Sequence, residues 1–159
     1  MKRALVIGYG NPLKGDDGFG WHAAHRLAQL AHHAPIHVLA VHQLTPELAE
    51  LVGKAELVIF IDASHEAEPG TWKCEEIATE AGRTNTLAHH FTPTILLGYA
   101  RTVFHVSPPA LIITLGAESF EYCETLTPRA EAALPEVLQY VLERIPKYSS
   151  AEELFGEFH

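Results

Sequence analysis

Arg3-Ala4-Leu5-Val6-Ile7-Gly8-Tyr9-Gly10-Asn11-Pro12-Leu13-Lys14-Gly15-Asp16-Asp17-Gly18-Phe19-Gly20 decides the fold class of this chain. Its first part is an apolar run of strand-forming residues, and its second part is a glycine-hinged turn carrying two adjacent carboxylates. Beyond the turn, Trp21, Ala24, Leu27, Ala28 and Ala31 recur at helical spacing. That periodicity predicts a helix starting between Gly18 and Trp21 and ending before Pro35. A strand, a glycine turn and a helix in this order open a βαβ unit, and such folds keep their chemistry at the C-terminal ends of the strands. Asp16 and Asp17 are therefore the first candidates for function.

Two familiar glycine-loop functions fail residue by residue. A dinucleotide fingerprint needs a third glycine where Leu13 stands, and the acidic pair would repel a pyrophosphate. A phosphate-cradling loop has its spacing met by Gly10 and Gly15, but Asp16 and Asp17 replace the Lys and Ser/Thr that phosphates and magnesium require. The turn is built to attract cations.

Working outward, residues 36–41 read as a second strand. Thr45-Pro46-Glu47 reads as a helix start, with Thr45 as N-cap and Pro46 in the first helical position, the helix ending near Gly53. Leu57-Val58-Ile59-Phe60-Ile61 is the continuous apolar run of a central strand buried on both faces, and it delivers Asp62 to the strand's C-terminal mouth. If that strand runs parallel to the first, Asp62 shares a rim with the acidic turn. Residues 70–77 suit a polar edge strand, because Lys73, Glu75 and Glu76 fall within them.

Residues 79–86 read as a polar, mobile loop leading to His89 and His90. Thr92-Pro93 repeats the cap signal before Ile95, Leu96, Tyr99 and Val103, and residues 110–115 form another apolar strand closing at Gly116. In the last helix Leu134, Val137, Leu138, Val141, Leu142 and Ile145 make one stripe, with Pro135 tolerable only in the first turn. His32 and His33 fall at the end of the first helix, where its dipole favours an imidazolium, a structural explanation preferred to metal binding. The expected architecture is α/β, three-layered, with a mostly parallel twisted sheet of about five strands flanked by helices on both faces. Residues 1–148 form one domain in this reading, and 149–159 a loosely held tail.

The 159 residues, 17.5 kDa and 47% hydrophobic content suit a single core. A formal charge of -9 excludes a nucleic-acid footprint and adhesion to an anionic membrane, so the expected partner is a protein or a cation. No apolar run approaches the roughly 20 residues of a spanning helix. Cys74 and Cys123 have no metal-cluster spacing and read as reduced, mostly structural thiols. The reading is of a cytoplasmic monomer, since no helix shows a surplus apolar face.

Two carboxylates and an imidazole, Asp17, Asp62 and His89, make a mixed oxygen and nitrogen set suited to nickel, zinc or manganese. Spacing alone leaves the plainer readings open: Asp16 as a turn or cap residue, Asp62 in a strand-end Asx turn, the histidines as loop surface.

Gly8-Tyr9-Gly10-Asn11-Pro12-Leu13, followed by Asp16-Asp17-Gly18 and Gly20, resembles the GxGNxLxxDDGxG opening of the hydrogenase maturation endopeptidases. The resemblance extends through Ile61-Asp62-Ala63, the histidine segment and the Leu126-Thr127-Pro128 turn, and so covers nearly the whole chain. It implies a protease that removes a C-terminal extension from the large-subunit precursor of a nickel-iron hydrogenase once nickel is inserted. It also implies metal ligation by Asp17, Asp62 and a histidine, for which the following Phe91 favours His89 over His90. The nickel would come with the substrate, with no permanently bound cofactor. Asp17, Asp62 and Asp16 are the candidate catalytic residues, Asp17 or Asp16 activating a water, since no Ser-His-Asp or Cys-His pairing is evident. Asp62-Ala63-Ser64-His65 lies too close in sequence to form such a triad. The alternatives are a nickel- and precursor-binding chaperone without enzymatic activity, and a small-molecule α/β enzyme with a closed apolar pocket.

Overall fold

The computed structural model describes residues 3–31, 34–77 and 91–145. The opening run forms β1 (Arg3–Tyr9), and the acidic turn ends in a one-turn 3-10 helix over Gly15–Gly18 that leads directly into α1 (Phe19–Leu30). There follow β2 (Ile36–Val41), α2 (Ala49–Gly53), β3 (Ala55–Ser64), β4 (Trp72–Glu76), α3 (Pro93–Phe104), β5 (Ala110–Gly116) and α4 (Pro128–Arg144). The five strands make one sheet in the order β2-β1-β3-β5-β4. All pairings are parallel except that of β4 with β5, which puts the polar strand antiparallel at an edge, where Lys73, Glu75 and Glu76 discourage further pairing.

Burial on both faces is why β1 and β3 lack polar alternation. Ala4 and Val6 of β1, with Ile59 and Ile61 of β3, pack beneath α1 and α4; Leu5 and Ile7, with Val58 and Phe60, pack beneath α2 and α3. Adjacent residues thus feed opposite cores, and a polar side chain on either face would be stranded without water. The outcome is the expected three-layer α/β architecture.

Two glycines set how closely the first helix approaches the sheet. A Cβ on Gly20 would lie 2.1 Å from the Ile61 carbonyl oxygen and 2.7 Å from the Tyr9 nitrogen, and one on Gly8 would lie 1.9 Å from the Gly20 carbonyl oxygen. The first turn of α1 therefore rests on the backbones of β1 and β3, which carries the acidic turn to the end of β3. Gly20→Ala must push the helix outward, at an expected cost of roughly 1–3 kcal/mol. Gly98→Ala in α3, where an added methyl meets nothing within 4 Å, should instead gain up to about 1 kcal/mol of helix propensity. Thermal melts of the two variants moving in the same direction would contradict this account.

Two local expectations need correction. Thr45 is extended but makes no cap hydrogen bond to the following turn, which begins as a 3-10 helix over Pro46–Leu48; its hydroxyl goes to the Glu47 side chain instead. Pro135 lies in the interior of α4, not its first turn, because the helix begins at Pro128. Pro135 and Glu131 are both exposed, so water can take up the Glu131 carbonyl that the proline ring leaves without a donor. Thr92 and Thr127 do cap their helices, accepting from the Ile95 and Ala130 amides. His32 and His33, the loop at 79–86, His89 and His90, and the tail at 149–159 lie outside the described residues.

Candidate functional site

The chain leaves β1 for β2 on one side and returns to β3 on the other, so the connections diverge between β1 and β3. Such a switch point opens a crevice at the C-terminal strand ends, where doubly wound folds bind ligands. Gly8 pairs with Ile61, so the next residues along, Tyr9 and Asp62, end up side by side at the mouth of that crevice.

Tyr9 donates a hydrogen bond from its phenol to the Asp62 carboxylate. Burial, together with the charge of Asp62 and that bond, raises the phenol far above its ordinary range and keeps it a neutral donor. Burial pushes Asp62 up to about 6, against the pull of the Ala63 amide and the Tyr9 hydroxyl, and the negative charge of Asp17 adds to the upward push. The Ala63 amide donates to Asp62 Oδ1 at 2.7 Å. Asp17 is fixed by the Asn11 amide, which donates to its Oδ2 at 2.8 Å, while Asn11 Oδ1 accepts from the Leu13 amide at 2.9 Å. Two half-buried carboxylates that repel each other across a crevice form hard oxygen ligands whose repulsion a divalent cation would relieve.

Asp16 turns the other way. It is fully buried, and its oxygens accept from the Glu118 amide at 2.9 Å, the Thr127 amide at 2.8 Å and the Thr127 hydroxyl at 2.7 Å. Every hydrogen bond recorded for this carboxylate goes to the connection between β5 and α4. The residue considered as a water-activating base is thus a strut between the acidic turn and the cap of α4.

Of the sequence candidates, then, the structure brings Asp17 and Asp62 to one crevice and holds Asp16 beneath it, while His89 lies outside the described residues. Among the described residues no three His, Cys, Asp or Glu side chains converge closely enough to hold a metal by themselves. A cavity of about 180 Å³ lined by Arg3, Leu5, His37, Leu51, Lys54 and Ala55 lies at the opposite ends of the strands; another of about 340 Å³ lies between α4 and the segment around Gly70. Neither is lined by the crevice carboxylates. Tyr9 is the residue that the sequence reading passed over, although a tyrosine closing a buried strand needs a partner for its hydroxyl and Asp62 is a natural one.

Asp62 carries a stability penalty. Its folded-state proton affinity exceeds that of an unfolded carboxyl near 3.9, so the folded chain binds more protons between about pH 4 and pH 6, and stability falls as pH rises through that window. Above pH 6 the penalty is fully present. Asp62→Asn should then be more stable than wild type at pH 8, by an amount on the order of 1 kcal/mol after allowing for partial solvent screening, and nearly equal to it at pH 4. Urea titrations at both pH values check the sign; a less stable variant at pH 8 contradicts it.

Comparison with solved structures places the fold. The chain superposes on the hydrogenase maturating endopeptidase HybD from Escherichia coli with a TM-score of 0.74 and 25% identity, covering 90% of this chain and 91% of that one. It matches the hydrogenase 2 maturation peptidase from the Thaumarchaeota archaeon SCGC_AB-539-E09 with a TM-score of 0.69 and 25% identity, over 89% and 97% of the two chains. For an endopeptidase from Escherichia coli solved in solution, the TM-score is 0.72 at 25% identity, over 94% of each chain. No protein-family model matches the chain, and no curated protein matches it by sequence. No helix among the described residues is long and apolar enough to cross a membrane.

Proposed function

We propose that this chain, which shares its fold with the hydrogenase maturation endopeptidases, cleaves the C-terminal extension from the large-subunit precursor of a nickel-iron hydrogenase and recognises the nickel already seated in that substrate. The observation that carries this reading is the approach of the Asp17 turn to Asp62 at the crevice between β1 and β3, which follows from their parallel register and the close backbone contact of Gly20 with Ile61. Each carboxylate offers oxygen to an incoming cation, and the sequence resemblance adds His89 as the third ligand. Tyr9 and the Ala63 amide orient Asp62, and the Asn11 amide orients Asp17, so the oxygens need little reordering when the substrate arrives.

With Asp16 committed to its strut, general-base duty falls to Asp17. It takes a proton from a water as that water's oxygen attacks the scissile carbonyl, and the proton passes to the amine released when the C–N bond breaks. A metal carried by the substrate and held at Asp17 and Asp62 would supply Lewis-acid polarisation of the scissile carbonyl.

The test is to incubate the protein with nickel-loaded and nickel-free forms of the large-subunit precursor from the same organism and to follow intact mass. Mass loss confined to the C-terminus of the nickel-loaded form is expected. Binding without mass loss would favour the chaperone alternative, and equal cleavage of the nickel-free form would remove nickel recognition.

A further inference from the structure

The connection between β5 and α4 is stitched to the acidic turn along its length. Gly15 donates its amide to the Cys123 carbonyl at 2.8 Å, Cys123 donates to the Leu13 carbonyl at 2.8 Å, and Asp16 donates to the Ser119 carbonyl at 3.0 Å. Lys14 and Cys123 form a parallel bridge, so the residues that precede them, Leu13 and Tyr122, lie on adjoining stretches of backbone. Both are large apolar side chains held out in solvent, Leu13 39% and Tyr122 79% exposed. On the same connection, Phe120 packs edge-on against His65, just beyond β3, at 4.9 Å between ring centres. The lip therefore runs from the turn that carries Asp17 to the segment that follows Asp62.

We propose that Leu13 and Tyr122 form the docking lip for the polypeptide of the precursor, an inference that rests on the function proposed above. Leu13 stands exposed on the turn that carries Asp17, and an exposed tyrosine on a pinned backbone is an anchor whose ordering entropy is small. The occupant is a segment with an apolar side chain flanked by basic or neutral residues, because the exposed Glu121 and Glu124 bracket Tyr122 and outweigh the one exposed cation beside them, Lys14. The same acids oppose an anionic bilayer.

The experiment measures initial processing rates against the concentration of nickel-loaded precursor for Tyr122→Ala, Leu13→Ala and a control, Leu30→Ala, whose 62% exposed side chain sits at the far end of α1. Tyr122→Ala and Leu13→Ala should raise KM about tenfold, or Kd if the precursor is bound without cleavage, with melting temperatures matching wild type. Leu30→Ala should match wild type in every respect. A KM within twofold of wild type for both lip variants, with the wild type processing normally, overturns the lip while leaving the maturation reading intact. A wild-type protein that neither binds nor processes the precursor overturns both. A lowered KM on reversing Glu121 and Glu124 to Lys overturns the charge of the occupant.

Discussion

Asp17→Asn is expected to fold with the melting temperature of wild type and to process nickel-loaded precursor at least about a hundredfold more slowly, the scale set by losing a general base. The substitution is a clean one. An asparagine side chain keeps an oxygen for the Asn11 amide, which donates to Asp17 Oδ2 at 2.8 Å, so the turn loses no hydrogen bond. What it loses is a negative charge at the crevice. That charge is among the causes that raise the Asp62 carboxyl to about 6, so a second readout accompanies the first: Asp62 in the variant should titrate at lower pH than in wild type. A rate loss with an unchanged Asp62 titration would mean that the two carboxylates do not share a site. Normal processing by the variant would end the assignment of Asp17 altogether.

How much of this was legible in the sequence depended on whether the signal was local. The runs at β1 and β3 were readable because burial on both faces leaves an unbroken apolar string, and the position of Asp62 after Ile61 followed directly. The approach of the acidic turn to Asp62 was a conditional inference, because it needs the parallel register of β1 with β3 and the backbone contact between Gly20 and Ile61, both tertiary facts. Thr45 misled for a related reason: a cap residue followed by proline is a local signal, and the nearby Glu47 competed for the hydroxyl. In α4 the large apolar residues begin only at Leu134. The earlier turns face the core with Ala130 and Ala133, whose small side chains give little periodic signal, so the helix start was read too late and Pro135 misplaced. Adjacent Asp16 and Asp17 look equivalent on paper. Only the one-turn helix over Gly15–Gly18 separates them, burying one carboxylate and leaving the other at the crevice.

That separation makes Asp16→Ala the most destabilising single change expected here. The Asp16 carboxylate is fully buried and held by hydrogen bonds, with no ion pair among the described residues: two backbone amides and one hydroxyl point at it, and the N-terminal end of α4 adds the positive end of a helix dipole. The hydroxyl is that of Thr127, which in turn accepts from the Ala130 amide, so one side chain ties the acidic turn, the β5–α4 connection and the cap of α4 into a single chain of bonds. Truncation takes the acceptor from three donors in a part-buried site, a loss expected to cost roughly 3–5 kcal/mol in all. For a chain of this size that corresponds to a fall in melting temperature of roughly 10 °C or more. Asp16→Asn should fall between alanine and wild type, because its amide keeps one acceptor oxygen but turns an N–H group toward the same donors. The measurement separates strut from catalyst. A strut predicts that both variants lose stability, and that whatever fraction stays folded at low temperature still processes precursor. An Asp16→Asn protein that melts with wild type yet fails to cleave would return this residue to the reaction.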